Sequence, residues 1–249
     1  MKIAIICCLH GNEKYGLDVV RELPYSLPFF IGNKKAMIED KRFIDSDLNR
    51  CFPGKLNGNY EEKLACELVE FLKDFDYVID LHSSSNECPL FGVITKSNIE
   101  KINLAKSLGL KKLVIMPNYF AKGNSLIDFV KCGISLEIGP HERKENVEEV
   151  TEKILNLVEN KLTQENIDIF EVVSVIKKQA EGEILIKNFE KVNHKDILIR
   201  GDTNQFAESD FIPILVNEKA YEDILCLVVK QVNLKVIGDY YNHDKERGI

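Results

Sequence analysis

The sequence predicts an α/β fold, a three-layer sandwich around a mixed, largely parallel sheet, followed by a small β-rich C-terminal domain. Three observations carry this. Up to Leu162, apolar runs of strand length alternate with amphipathic segments of helical period, the pattern of strand–helix–strand units. Several of those runs are apolar throughout, as strands buried on both faces require. Beyond Leu162 the β-branched runs follow one another across Gly, Asn and Asp turns, with no helical segment between them. The boundary is therefore drawn between residues 1–163 and residues 164–249.

Lys2–Cys8 is an apolar run that stops at His10 and Gly11, a strand entering a loop. Tyr15–Leu23 places Leu17, Val19 and Val20 on one side and Asp18, Arg21 and Glu22 on the other, and Pro24 ends this helix. Phe29–Gly32 is a second short strand, and Asn33–Asp40 reads as a polar connection without a clear period. Arg42–Gly54 is dense in hydrogen-bonding side chains and closes on a Pro-Gly turn. Tyr60–Phe71 is a helix with Leu64, Leu68 and Phe71 on one face, and Glu61, Glu62, Glu67 and Glu70 away from it. Tyr77–His82 is a strand leading into Ser83–Asn86. Pro89–Thr95 reads as a strand, Ile99–Leu108 as a helix, Lys112–Met116 as a strand and Ser125–Lys131 as a helix. Gly133–Pro140 is a strand ending in a turn, and Glu145–Leu162 carries apolar residues at helical spacing. In the C-terminal part, Ile167–Lys177, Glu183–Lys187, Asp196–Ile199, Phe211–Val216 and Leu225–Val229 are strands. Leu234–Ile237 is expected to add one more, and Gly238–Ile249 to form a polar, mobile tail.

Composition narrows the class of function. The chain has 249 residues, 45% of them hydrophobic and 29% charged, as in an ordinary soluble globular protein. The net charge of −7 arises from acidic residues spread along the chain, which argues against nucleic acid as a partner. The apolar stretch after Met1 is too short for a signal sequence and no segment approaches a membrane span. The seven cysteines include no Cys-x-x-Cys pair and mostly sit in apolar segments, so they are expected to be reduced thiols in a cytoplasmic protein.

The candidate chemistry lies at strand ends, where functional loops of open α/β sheets gather. His10-Gly11-Asn12-Glu13, Asp80-Leu81-His82 and Leu136-Glu137-Ile138-Gly139 each end an apolar strand and would emerge on one edge of the sheet. An open hydrolytic zinc site uses three protein ligands, commonly two His and one carboxylate, and His10, Glu13 and His82 supply that set. Glu137 is the candidate base for a bound water, with Asp80 a candidate partner of His82. Arg50 offers a planar fork for a carboxylate, Asn49 adds amide donors, and Arg42 is a cation able to face a developing oxyanion. Each residue also has a plainer reading: a solvated His10–Glu13 pair, a His82 bonded to Asp80 or Ser83, a Glu137 that caps amides, and arginines paired with Asp45 and Asp47 on the surface.

These four segments, His10-Gly11-Asn12-Glu13, Asp45-x-Asp47-Leu48-Asn49-Arg50, Asp80-Leu81-His82 and Glu137-Ile138-Gly139-Pro140, together resemble the motifs of the aspartoacylase and succinylglutamate desuccinylase family of the zinc carboxypeptidase-like superfamily. The resemblance covers about the first 140 residues, and Val216–Tyr221 matches more loosely. It implies one Zn2+ per chain held by His10, Glu13 and His82, with Glu137 as general base and Arg42 polarising the scissile carbonyl. It further implies that Asn49 and Arg50 hold the carboxylate of the leaving amino acid and that Tyr221 reaches the substrate from a C-terminal domain capping the site. The expected activity is hydrolysis of an N-acyl amino acid, a small-molecule substrate, to a carboxylate and a free amino acid. A homo-oligomer is compatible with this. The rival expectations are a zinc carboxypeptidase acting on peptides and a non-catalytic metal- or ligand-binding protein on the same fold. One departure stands out: Ile127 occupies the position, ten residues before Glu137, where an aspartoacylase places an arginine for the substrate side chain. Lys122 and Lys131 are the nearby cations, though neither is a bidentate fork.

Overall fold

A computed structural model describes residues 1–24, 26–117, 123–141, 146–161 and 166–233. Lys122, the expected strand at Leu234–Ile237 and the tail Gly238–Ile249 lie outside the described residues. The elements run β1 (Ile3–Cys7), α1 (Tyr15–Glu22), β2 (Phe29–Ile31), α2 (Lys34–Ile38), α3 (Tyr60–Leu72), β3 (Tyr77–Ser84), β4 (Phe91–Ile94), α4 (Ile99–Ser107), β5 (Lys112–Ile115), β6 (Gly133–Pro140) and α5 (Val147–Val158). After them come β7 (Asp168–Lys177), β8 (Glu183–Ile184), β9 (Ile197–Arg200), β10 (Gln205–Phe206), β11 (Ile212–Ile214) and β12 (Ile224–Val232).

A nine-stranded sheet in the order β11-β12-β7-β5-β4-β6-β3-β1-β2 forms the middle layer. It is mixed: β2, β1, β3 and β6 run parallel, β4 is antiparallel to β6, and β12 is antiparallel to β7. Three strands after residue 163 thus extend the large sheet, while β8, β9 and β10 form a separate small antiparallel sheet.

Strand alternation sorts the core into two layers. Ile3, Ile5, Cys7, Ile79, Leu81, Ile134 and Leu136 pack with α1, α4 and α5 on one face. Ala4, Ile6 and Val78 point the other way, onto Ala65, Leu68 and Leu72 of α3 and onto Leu48 and Phe52. Because successive side chains of a strand face opposite ways, a strand covered on both sides must be apolar at every position, and β1 is buried at all five. Among the described residues no helix is long and apolar enough to cross a membrane. All seven cysteines are free.

Three local expectations change. Asn33–Asp40 contains α2, whose N-cap Asn33 accepts from Ala36 N at 3.1 Å; one helical turn is too short to show a period. Ser125–Lys131 forms only a single 3-10 turn, Leu126–Asp128, because Asp128 folds back to accept from Ser125 Oγ at 2.6 Å and closes the turn. Glu61, placed by periodicity on the solvent side of α3, is fully buried. It lies four residues before Ala65 and seven before Leu68, so it extends the buried face Glu61–Ala65–Leu68–Leu72 under the loop after Arg42, whereas Phe71, expected on the core face, is 49% exposed.

Candidate active site

The parallel register lines up the ends of β1, β3 and β6, pairing Cys7 with Leu81, Leu81 with Leu136 and His82 with Glu137. His10, His82 and Glu137 therefore leave the sheet at the same edge. Gly11 is required here by contact: a Cβ would lie 2.2 Å from the Ala36 carbonyl carbon. Its N–H donates to Arg42 O at 3.0 Å. The bare backbone at Gly11 lets α2 close over the loop and brings Arg42, just beyond α2, beside His10.

Glu13 is the hub. Its Oε1 lies 2.7 Å from His10 Nδ1 and accepts from Arg42 Nη1 at 3.2 Å. Its Oε2 lies 3.0 Å from His82 Nδ1 and accepts from Ser83 N at 3.1 Å. Both imidazoles turn their outer nitrogens to carboxylates: His82 Nε2 lies 2.6 Å from Asp80 Oδ2, and His10 Nε2 lies 3.1 Å from Asp47 Oδ1. Facing the Glu13 carboxylate at these distances both Nδ1 atoms donate to it, and a metal ion bound there would displace those protons; His10 Nε2 also lies 2.9 Å from Arg42 Nη2. Donor atoms of His10, Glu13 and His82 all lie within 4.8 Å of one another, and all three residues are buried. Two neutral imidazole nitrogens and a carboxylate, backed by carboxylates behind, form the donor set of an open zinc site. The residues fit the metal.

Electrostatics agree with this division of roles. Burial opposes ionisation of Glu13, but the His10 and His82 imidazoles outweigh it and hold the carboxyl well below its usual range. Burial likewise opposes charge on His82, and Asp80 and Glu13 overcome it to raise that imidazole well above its usual value. Asp47, buried yet bonded to His10 and close to Arg42, is also lowered. Glu137 differs. Burial dominates there, helped by repulsion from Glu13 and Glu218 and opposed by His82, and pushes the carboxyl up to about 7. A carboxyl near neutrality accepts and returns protons readily.

His10, Glu13, Arg42, Asn49, Arg50, His82, Glu137 and Tyr221, eight residues drawn from strand ends and loops spread over the sequence, all line one small pocket of about 80 Å3. Val93, Met116, Ile127 and Leu215 add apolar wall, while Glu218 completes the rim beside Tyr221. A larger cavity of about 560 Å3, between the Asn86–Pro89 loop and Ile184–Glu190, contains none of the metal-donor residues. Arg42 does pair with Asp47, through Nε at 3.3 Å and Nη2 at 3.1 Å, but half-buried beside His10 rather than on the open surface. Asp45 instead accepts from Tyr60 N at the start of α3, at 3.0 Å. Arg50 donates to Asn49 O at 2.8 Å and, among the described residues, has no carboxylate in an ion pair. Asn49 Oδ1 accepts from Leu126 N at 2.9 Å, which leaves its amide N–H groups for a ligand. Lys131 points elsewhere, with Nζ 3.7 Å from Asp76.

Sequence reasoning did not single out three contributors. Asp47 stood inside a quoted motif, but its bond to His10 spans 37 residues of chain. Ser83 contributes a backbone N–H, which no side-chain pattern announces. Glu218 accepts from Ser85 N at 2.8 Å and Ser85 Oγ at 2.7 Å, tying the Tyr221 segment to the end of β3.

Residues 1–163 match the family model of the succinylglutamate desuccinylase/aspartoacylase catalytic domain. The chain belongs to this family. A probable aspartoacylase of Acaryochloris marina is 27% identical, across 94% of this chain and 98% of its own length. An N-acyl-aromatic-L-amino acid amidohydrolase (carboxylate-forming) B of Danio rerio is 26% identical over 55% of this chain and 54% of its own. Murine aminoacylase 3 shares the family fold, with a TM-score of 0.77 and 19% identity over 93% of this chain and 95% of that one.

Proposed function

We propose that this family member is a zinc-dependent amidohydrolase that cleaves an N-acyl amino acid to a carboxylate and a free amino acid. The observation that carries the reading is the convergence, in one buried pocket, of the His10–Glu13–His82 donor set with Glu137 and two arginines. The family and the curated relatives, named as acylases and amidohydrolases, support it.

His10, Glu13 and His82 would hold the zinc, which when bound supplies Lewis acidity and a water of pKa near roughly 7. Arg50 and the free amide of Asn49 bind the α-carboxylate and fix the amide bond in the pocket. Arg42 stands over the carbonyl oxygen, where its fixed charge stabilises the negative charge that grows as the carbonyl carbon becomes tetrahedral. Glu137 takes the proton of the attacking water and delivers it to the leaving nitrogen, so the C–N bond breaks to a neutral amine. Tyr221 contacts the substrate from residues 164–249, which act as the cap over the catalytic unit 1–163.

The small volume of the pocket, about 80 Å3, favours a small acylated amino acid. Among the described residues its only arginines are Arg42 and Arg50, and Ile127 with Val93, Met116 and Leu215 presents an apolar wall. Uncharged amino-acid side chains are the preferred class on this ground. Seven free thiols suit the reducing interior of a cell. The test is a hydrolysis screen of zinc-loaded protein over N-acyl amino acids and short peptides. Turnover of acylated amino acids with neutral side chains is expected. Hydrolysis confined to peptides, or none at all, would overturn the reading.

A further inference from the structure

Glu61 has no part in the chemistry above, yet its surroundings are unusual. It sits in the first turn of α3, fully buried. Among the described residues no lysine or arginine pairs with it; four N–H donors do. Oε1 accepts from Asn33 Nδ2 at 3.0 Å and Ile44 N at 2.7 Å, and Oε2 accepts from Asp45 N at 2.9 Å and Ser46 N at 3.2 Å.

Three of those donors are consecutive backbone amides in the segment between Arg42 and Asp47. The loop carrying Arg42, Asp47, Asn49 and Arg50 has no strand or α-helix, only the 3-10 turn Leu48–Arg50 that Asp47 caps, so residues 43–46 depend on contacts from elsewhere. It is tethered at one end by Gly11 N–H on Arg42 O and at the other by Leu126 N–H on Asn49 Oδ1. The fourth donor, Asn33, caps α2, the helix that delivers Arg42. A short carboxyl-bearing side chain thus gathers the loop, the α2 cap and α3 into one unit. Burial of such a group is tolerable only because every oxygen is met by donors.

We propose that Glu61 is the positioning residue of the carboxylate clamp, setting Asn49 and Arg50 at the spacing a substrate α-carboxylate needs; this rests on the clamp reading given above. Loops left free to move by even 1 Å lose much of an oriented contact.

In Glu61→Gln one oxygen becomes an NH2 that faces two N–H donors in either orientation. The variant is compared with wild type for melting temperature, zinc content, hydrogen exchange of amides 44–46, and kcat and KM on an N-acyl amino acid and on its α-carboxamide. The expected result is retained fold and zinc, faster exchange at 44–46, and a KM for the carboxylate substrate raised about tenfold, with the carboxamide little changed. The preference for a free carboxylate therefore shrinks, a readout that loss of packing alone would not move. Glu61→Asp, which keeps the charge but is one methylene shorter, is expected to fall between. In wild type, slow exchange at amides 44–46 is required whatever the variants do. Fast exchange there, or an unchanged carboxylate preference in a folded Glu61→Gln, would overturn the proposal. Absence of any wild-type hydrolysis would instead overturn the functional reading on which it rests.

Discussion

Replacing Glu137 by Gln is expected to stabilise the metal-free protein, and the size of the effect follows from the site. Burial raises this carboxyl from 4.5 to about 7. Between those values the folded state holds a proton that the unfolded chain has already released, so stability falls as pH rises from about 4.5 to 7 and the penalty is complete above 7. A rise of about two and a half pH units at roughly 1.4 kcal/mol each is worth about 3 kcal/mol. Glu137 lines a pocket open to water, and solvent screening reduces the figure to about 2 kcal/mol. Gln keeps the shape and removes the charge. Urea unfolding of chelator-treated wild type and Glu137→Gln should therefore show the variant about 2 kcal/mol more stable at pH 8 and nearly equal at pH 4.5. Equal stability at pH 8, or the same gain at both pH values, would refute the claim that the native fold strains this carboxylate. It would also remove the physical reason for assigning it the proton-transfer role, since an unperturbed glutamate is too weak a base at neutral pH.

Two further outcomes follow from particular contacts. Asp80→Asn should weaken zinc binding about 10- to 100-fold, because it removes the carboxylate 2.6 Å from His82 Nε2; a chelator competition titration measures this, and unchanged affinity would detach Asp80 from the site. Arg50→Lys should raise KM about tenfold with kcat little altered, since a point charge replaces a bidentate fork held outside the reacting bond. Steady-state kinetics decide it, and an unchanged KM would mean that Arg50 does not hold the carboxylate.

Much of the large sheet was legible because buried parallel strands are apolar throughout, as at Ile3–Cys7. The candidate site was legible for a related reason. Such strands deliver their next residues to a common edge, so His10, His82 and Glu137 had to be neighbours. What stayed hidden was whatever depends on chain distant in sequence. β7, β11 and β12 look in sequence like the small-sheet strands, and only pairing with β5 shows that they continue the large sheet. Glu61 looked like a solvent-facing residue because its charge outweighed its position: it shares a helix face with Ala65, Leu68 and Leu72, and only the distant amides of residues 44–46 make its burial tolerable. Gly11 was visible as part of a motif, but the reason for it, the α2 backbone 2.2 Å from where its Cβ would be, belongs to a helix too short to announce itself.

The account stands most directly on turnover by Glu137→Ala loaded with zinc and assayed on the N-acyl amino acid that wild type cleaves best. His10, Glu13 and His82 remain intact in this variant, so it should carry one zinc per chain by metal analysis while losing hydrolysis by about a thousandfold, the contribution expected of a positioned acid–base group. Wild-type turnover by the zinc-loaded variant would contradict the assignment of Glu137 and, with it, the mechanism built on the pocket.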